Sequence, residues 1–145
     1  MPEKTDNRTI GGRFEQELAQ KLSDAGFWVH VLQQNKAGQP ADIIASKGSY
    51  TTLIDAKVVS GNNGFPLYRV EDNQRSAMTL FEKRTGQSCW FAIKLPNEEI
   101  YMVRSKQLFN MIDFGCKSLS EKKIREDFSP YDKWLTFAEV MSGTP

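Results

Sequence analysis

The stretch ADIIASKGSYTTLIDAKVV, residues 41–59, decides the fold of this 145-residue chain. It contains two apolar runs of strand length, 41–45 and 53–59, which a short polar segment separates. Because glycine readily adopts the positive φ that tight hairpin turns favour, we expect the chain to reverse around Lys47-Gly48. The stretch therefore predicts an antiparallel β-hairpin.

Charged residues interrupt both runs of this hairpin: Asp42 the first, Asp55 and Lys57 the second. Such side chains are almost never fully buried unless they are paired or bind a metal ion. The predicted turn places Asp42 opposite Leu53 and diagonal to Asp55. Because side chains alternate between faces, Leu53, Asp55 and Lys57 share one face, and Asp42 lies on it. A register shifted by one residue would put the two acids on opposite faces.

A divalent cation would allow two neighbouring carboxyl groups to be ionised at the same time. Without one, their charges would repel, and one carboxyl would stay protonated near neutral pH. Magnesium prefers carboxylate, carbonyl and water oxygens, and the single histidine, His30, argues against a His-rich zinc or copper site. A metal-activated water could then act as a nucleophile, with Lys57 orienting it or stabilising a phosphate. The alternative is a buried Asp–Lys ion pair without catalytic chemistry.

Two predicted helices each carry a polar residue on the apolar face. Glu15 lies on the apolar stripe of a helix over 8–25, and Gln74 on that of a helix over 70–85. Each has an ordinary explanation: the helix dipole favours an acid near the first turn, and a buried amide can bond to neighbouring backbone. Their coincidence with the acids of the hairpin favours a site.

The whole chain is predicted to be one α/β domain, 1–145, with a flexible segment at 1–7 and a C-terminal extension over 117–145 packed on it. The predicted order is a helix, three strands, a helix, two strands and a helical tail, in which 131–140 is ambiguous. This order indicates a mixed sheet with helices packed on it. Two cysteines without metal-site spacing are expected to be free thiols.

Charge and hydrophobicity bound the functional classes. The net charge of +1 does not by itself indicate a nucleic-acid-binding protein. No apolar stretch is long enough to cross a bilayer and the polar start is no secretory signal, so we expect no membrane partner and a cytoplasmic location. Five basic residues next to the proposed site are candidate DNA contacts, with ordinary surface charge as the alternative for each: Arg8, Arg13, Lys36, Arg69 and Arg75.

The ordered set of motifs resembles the PD-(D/E)XK nuclease superfamily, most of all its RecU-type Holliday junction resolvases, with a further likeness to the archaeal resolvases. The motifs that carry this resemblance are Gly11-Gly12-Arg13-Phe14-Glu15, Asp42-Ile43-Ile44-Ala45, Leu53-Ile54-Asp55-Ala56-Lys57, Phe65-Pro66-Leu67 followed by Gln74, Glu99-Ile100-Tyr101 and Lys117-Ser118-Leu119.

The resemblance implies a restriction-endonuclease-like fold, a Mg²⁺ cofactor that Mn²⁺ can replace, a four-way or otherwise branched DNA substrate, and a homodimer. It also implies roles for six residues. Asp42, Asp55, the Ala56 carbonyl and Glu15 would hold the metal, Lys57 would assist the attacking water, and Gln74 would position the water or the phosphate.

The chain departs from these resolvases in two places. Asp55 stands where they commonly carry Glu, and the segment between Glu15 and Asp42 is short for the stalk insertion of RecU-type proteins. The predicted function is a metal-dependent endonuclease that resolves branched DNA in recombination and repair. One alternative is another DNA endonuclease of this fold, of repair or restriction type. The other is a non-catalytic DNA-binding protein.

Overall fold

A computed structural model of the chain describes residues 7–32, 39, 41–61 and 64–143, with the side chains of 7–9 left out of that description. The helices are α1 (Asn7–Asp24), α2 (Asp72–Thr85), α3 (Ser105–Asp113), α4 (Glu121–Asp127) and α5 (Tyr131–Met141). The strands are β1 (Trp28–Val31), β2 (Ile43–Lys47), β3 (Tyr50–Val58), β4 (Phe65–Pro66), β5 (Trp90–Lys94), β6 (Ile100–Arg104), β7 (Ser118–Leu119) and β8 (Ser129–Pro130).

The described strands form a central sheet with the order β1-β2-β3-β5-β6-β8, and β4 pairs separately with β7. Among the described strands of the central sheet, only β3 and β5 run parallel, and the other neighbours are antiparallel. The prediction of a mixed α/β sheet is therefore confirmed. The predicted flexible segment 1–7 lies outside the described residues except for Asn7, which begins α1.

Helices cover both faces of the central sheet. On one face, α1 and α5 bury Leu18 and Trp134 in one apolar cluster, while on the other α2 and α3 bury Met78 and Leu108 in a second cluster. The ambiguous stretch 131–140 is helical, as α5. Trp134 fixes this helix, because its ring lies 6.0 Å from that of Trp90 on the sheet. The C-terminal part of the chain thus packs on the sheet.

The hairpin between β2 and β3 has a different register from the predicted one. Lys47 pairs with Tyr50 and Ile43 with Ile54, so the turn residues are Gly48 and Ser49. Gly48 has φ +56°, which accounts for a glycine at this position. The turn lies one residue later than predicted, so the pairing shifts by two. Because an even shift keeps every side chain on its predicted face, the two acids still share one.

The second helix agrees closely with its prediction. It ends at Thr85, and Gly86 follows with φ +72° as a left-handed cap. Both cysteines are free, with Cys89 buried and Cys116 half-buried. In the part of the chain that the structure describes, no helix has the length and hydrophobicity needed to span a bilayer.

Candidate active site

Asp42 and Asp55 lie side by side where the β2–β3 hairpin opens. The paired residues end at Ile43 and Ile54, and the Asp42 N–H donates to the Ile54 carbonyl at 3.2 Å, which keeps Asp42 next to β3 beside Asp55. The charge of Asp42 contributes to the raised pKa of Asp55, so the two carboxyl groups are close neighbours. Asp42 is further held by the Ala56 N–H, which donates to its Oδ2 at 2.8 Å. The two side chains are 6% and 1% exposed, so the protein buries a pair of carboxyl groups.

Two side chains hold the Asp55 carboxyl group. Gln74 Nε2 donates to Oδ1 at 2.8 Å, and Lys57 Nζ lies 3.1 Å from Oδ2. The lysine contact has ion-pair distance without hydrogen-bond geometry, so the buried Oδ2 accepts no hydrogen bond. Burial raises the pKa of Asp55 to about 8; Lys57 opposes this shift and Asp42 adds to it. Lys57 and Gln74 therefore compensate this buried carboxylate only in part.

Lys57 and Gln74 are themselves fixed by backbone. Lys57 Nζ donates to the Arg69 carbonyl at 3.2 Å and approaches Gln74 Oε1 at 3.5 Å. The same Gln74 oxygen accepts from the Glu71 N–H at 3.4 Å, at the start of α2. The ordinary explanation for a buried Gln, a bond to nearby backbone, therefore holds together with the predicted contact to the site. Gln74 joins α2 to the carboxylate on β3.

Glu15 brings a third carboxyl group from α1. It is half-buried, and its pKa is raised to about 7 by burial and then by the charge of Asp42 and a hydrogen bond with it. Lys57 lowers the same pKa through its positive charge. Glu15 thus lies next to Asp42, within range of its charge. The structure brings together five of the predicted residues, Glu15, Asp42, Asp55, Lys57 and Gln74.

Comparison with known proteins identifies this arrangement. The sequence model of the archaeal Holliday junction resolvase family (Hjc) matches residues 6–113, about three quarters of the chain. The chain belongs to this family. A comparison with curated proteins finds no match. Among solved structures, the chain is similar to Hjc of Archaeoglobus fulgidus, a Holliday junction resolvase, with 21% identity, a TM-score of 0.62, and coverage of 88% of this chain and 96% of the other.

The Hjc family membership bears on the predictions directly. A Holliday junction resolvase of the nuclease superfamily and a restriction-endonuclease-like fold are both confirmed. The family that matches is the archaeal one, although the motifs favoured the RecU type. The matched span contains all of the proposed catalytic residues and ends before α4.

The donor set of this Hjc-family site suits a divalent cation with oxygen ligands. Asp42 and Asp55 are buried together, and Asp55 Oδ2 accepts no hydrogen bond. Within the described residues, no group of three or more His, Cys, Asp or Glu side chains could enclose a metal by itself. Magnesium suits such an incomplete set, because it usually keeps several waters and uses one or two carboxylates. Ala56 lies beside Asp42, and metal binding by its carbonyl stays a prediction.

The five candidate DNA contacts differ in their exposure and in their hydrogen-bond partners. Arg69 borders the site, where its carbonyl binds Lys57 and its Nη1 donates to the Val58 carbonyl at 2.7 Å. Arg13 is exposed on α1. Arg75 is engaged elsewhere, in a two-bond contact with Asp113 at 2.8 and 2.6 Å. The side chain of Arg8 and the whole of Lys36 lie outside the described residues.

Sequence reasoning missed two polar neighbours of the site. Gln39 Nε2 approaches Asp42 Oδ1 at 3.4 Å, a contact between residues three positions apart. Tyr68 is 83% exposed and lines a groove of about 360 Å³ together with Gly11, Ala56 and Arg69. The sequence signal for Tyr68 is its position directly before Arg69, a candidate DNA contact. A larger groove of about 580 Å³, lined by Lys106 and other residues of α3, holds no carboxylates, and we assign the site by its chemistry.

Proposed function

We propose that this protein is a divalent-metal-dependent endonuclease that resolves four-way DNA junctions, with Mg²⁺ as its cofactor and Mn²⁺ able to replace it. The observation that carries the proposal is the buried pair of Asp42 and Asp55, in which Asp55 contacts both Lys57 and Gln74. Membership of the Hjc family supports the branched DNA substrate. The RecU likeness stays a prediction.

Asp42 and Asp55 would hold the cation, helped by the Ala56 carbonyl and by Glu15. A divalent cation supplies charge that offsets the carboxylates, polarises the phosphodiester and acidifies water. The Ala56 N–H and Gln74 Nε2 each hold one carboxylate oxygen, so both ligands are oriented before a cation binds. This preorganisation limits the reorganisation that binding requires.

Lys57 is the group that would touch the reacting atoms. Its ammonium is held between the Arg69 carbonyl and the Asp55 carboxylate, and it remains partly exposed, with 13% of the side chain accessible. From there it can donate a hydrogen bond to the attacking water or to a phosphate oxygen. Cleavage would be an in-line hydrolysis that leaves a 5′-phosphate.

A groove next to the carboxylates leaves room for a DNA backbone. It is lined by Gly11 of α1 as well as Ala56 and Arg69, and a Cβ added at Gly11 would meet nothing within 4 Å. A glycine inside a helix costs about 0.5–1 kcal/mol relative to alanine. Since packing within the protein does not require this glycine, we propose that the substrate does. Two such sites in a homodimer would cut the two strands of a junction symmetrically.

The test compares a synthetic four-way junction with linear duplex of identical sequence, at equal Mg²⁺ concentration. We expect cleavage of the junction, and we expect Asp55→Ala to keep junction binding while losing cleavage. Equal cutting of both substrates would favour another endonuclease of this fold. If the wild-type protein cuts no DNA with either Mg²⁺ or Mn²⁺, a non-catalytic binding function would replace the proposal.

A crystal structure with Mn²⁺ tests the metal site independently of cleavage. We expect anomalous density between Asp42 and Asp55 in the wild-type protein, and none in Asp55→Asn. Density at another place, with none between these carboxylates, would contradict the proposed ligand set.

A further inference from the structure

Two aromatic residues on the edge strand lie on the same sheet face as the candidate catalytic acids. In the β1–β2 pairing, Trp28 is opposite Ser46 and His30 is opposite Ile44, and Ile44 is in turn opposite Leu53 on β3. Directly paired residues point to the same face. Because side chains alternate, this face is also that of Asp42 and Asp55, two residues beyond Ile44 and Leu53.

The aromatic pair is open to solvent. Trp28 is 62% exposed, and His30 is also exposed. Their rings are nearly parallel, with centroids 6.1 Å apart and an interplanar angle of 9°. Ser46 on β2 is opposite Trp28, and its hydroxyl group is hydrogen-bonded to that of Thr51 on β3 at 2.8 Å. The feature is a solvent-exposed pair of stacked aromatic rings with hydroxyl groups beside it.

We infer that Trp28 and His30 form a platform on which an unpaired nucleobase stacks, next to the active site. This inference rests on the proposed function and deepens it. Every base has a π face, so stacking on aromatic side chains binds unpaired DNA without requiring a particular sequence. Bases at the branch point of such a substrate lie at the end of a paired arm, where they can unpair close to the proposed active site.

The spacing of the sheet places the platform within reach of the same DNA strand. From a strand separation of about 4.8 Å and a rise of about 3.3 Å per residue, His30 is about 8 Å and Trp28 about 14 Å from Asp42 between Cα atoms. A stacked strand advances about 3.4 Å per nucleotide, so these distances correspond to about two to four nucleotides. The base on the platform would be a close neighbour of the cleaved phosphate.

The size of the surface favours a base over a second protein copy. Aromatic side chains bury about 150–250 Å² each, whereas a stable protein interface buries about 800 Å² per partner. One ring pair flanked by hydroxyl groups is therefore small for a dimer interface, while a single base would cover it. A second copy on this face is an outcome that the experiment below can reveal.

Tryptophan fluorescence tests the platform without cleavage. The chain has three tryptophans, and Trp90 and Trp134 are only 8% and 2% exposed, so a stacked base would quench Trp28 selectively. The protein in EDTA is titrated with a four-way junction that has two unpaired thymidines at the branch point. The matched DNA has abasic nucleotides in their place. We expect quenching with the thymidines and little with the abasic junction.

Variants test whether the fluorescence quenching arises from Trp28. Trp28→Phe should lose the quenching but retain most of the affinity, whereas Trp28→Ala should bind the thymidine junction about tenfold more weakly and the abasic junction unchanged. Phe114→Ala removes another exposed aromatic ring, 91% accessible at the end of α3, and should change neither. Circular dichroism and melting temperature verify that each variant folds.

Three results would overturn the inference. The first is equal quenching by both junctions, and the second is equal affinity of Trp28→Ala and wild type for the thymidine junction. The third is a change from dimer to monomer in light scattering of Trp28→Ala, which would place a second copy on this face. Since EDTA prevents metal-dependent cleavage, these results do not depend on catalysis. A protein that shows the predicted quenching but never cuts DNA would contradict the proposed function alone.

Discussion

Gln74 on α2 donates a hydrogen bond from Nε2 to Oδ1 of Asp55 on β3, with 2.8 Å between the two atoms. The contact joins residues 19 positions apart and lies in a buried environment. Because Lys57 approaches the other oxygen of the same carboxylate, the direction of Asp55 is set from two sides. Asp55 therefore has a defined orientation without a bound cation, as the proposed metal site requires.

Replacement of Gln74 should weaken metal binding more than DNA binding. Groups that orient a metal ligand typically change metal affinity or activity by about 10- to 100-fold when they are removed. We expect Gln74→Leu to raise the Mg²⁺ concentration for half-maximal cleavage by about that factor, with junction affinity in EDTA unchanged. Asn73→Ala, at the exposed neighbouring position, is the control. Equal Mg²⁺ dependence of Gln74→Leu and wild type would contradict the orienting role.

Lys57 should be needed for the chemical step. A positioned group that donates a proton or a hydrogen bond in the transition state contributes about 10²–10⁴-fold to the rate. We expect Lys57→Met to lower single-turnover cleavage by at least about 100-fold, with junction binding nearly unchanged. Lys94→Met is a matched control, because Lys94 is similarly enclosed, at 17% exposure, and pairs with Glu17 and Glu98. A loss of similar size in Lys94→Met would indicate a general structural effect.

Alanine substitutions at Gly11 and Gly12 distinguish an effect on helix stability from an effect on substrate contact. Both lie within α1, and a Cβ at either would meet nothing within 4 Å, but only Gly11 lines the groove beside Ala56. Each alanine substitution should stabilise the helix by about 0.5–1 kcal/mol. We expect Gly11→Ala also to weaken junction binding several-fold, and Gly12→Ala to leave binding unchanged. Thermal unfolding and junction titrations measure the two effects, and equal junction affinities would exclude a substrate contact at Gly11.

Local patterns predicted which residues are grouped in the candidate site. Alternation along β3 correctly placed Asp55 and Lys57 on one face, and helical periodicity correctly turned Glu15 and Gln74 inward. The turn was predicted one residue early, because Lys47-Gly48 and Gly48-Ser49 both provide a glycine. Because strand side chains alternate with a period of two residues, the resulting shift of two positions in the pairing leaves each side chain on its predicted face.

Partners far apart in the chain could not be predicted in this way. Arg75 binds Asp113, 38 residues away, and no local pattern indicates that pair. The helix Tyr131–Met141 packs Trp134 against Trp90, a contact between distant residues that no local pattern indicates. The β4–β7 pair has two residues in each strand, too few for any periodicity.

The metal-free protein should lose stability as pH rises. Burial raises the pKa of Asp55 to about 8 and that of Glu15 to about 7, above their ordinary values of 3.8 and 4.5. The folded state therefore binds protons more tightly than the unfolded state, so this stabilisation is complete below about pH 4 and is lost as pH rises through the folded-state values. We expect the free energy of unfolding in EDTA to fall between pH 5 and pH 8.5, by roughly 1.4 kcal/mol for each pH unit over which one carboxyl stays protonated in the folded state alone.

Magnesium should reverse this loss, because cations bind the deprotonated carboxylates. We expect Mg²⁺ to raise the melting temperature more at pH 8.5 than at pH 5.5. Asp55→Asn has no proton to lose at this position, so both its pH dependence and its response to Mg²⁺ should be smaller. A wild-type protein whose stability in EDTA rises over this range would contradict the assignment.

Gly48 sets the register on which the paired acids depend. It occupies the first turn position with φ +56°, and a Cβ there would overlap the carbonyl oxygen of Ser142. That carbonyl accepts a hydrogen bond from the Ser49 N–H at 3.1 Å, so the turn and the end of α5 meet at this point. A substitution at Gly48 should therefore cost more than backbone strain alone.

Gly86→Ala is the matched control, since Gly86 has φ +72° but a Cβ there would meet nothing within 4 Å. We expect Gly86→Ala to lower the free energy of unfolding by about 1–2 kcal/mol, the cost of a left-handed conformation for an L-residue, and Gly48→Ala to lower it further. Chemical denaturation measures both values. Because a displaced turn moves Asp42 relative to Asp55, Gly48→Ala should also bind Mg²⁺ more weakly than Gly86→Ala. Equal stability and equal Mg²⁺ affinity in the two variants would show that the turn does not control the geometry of the acids.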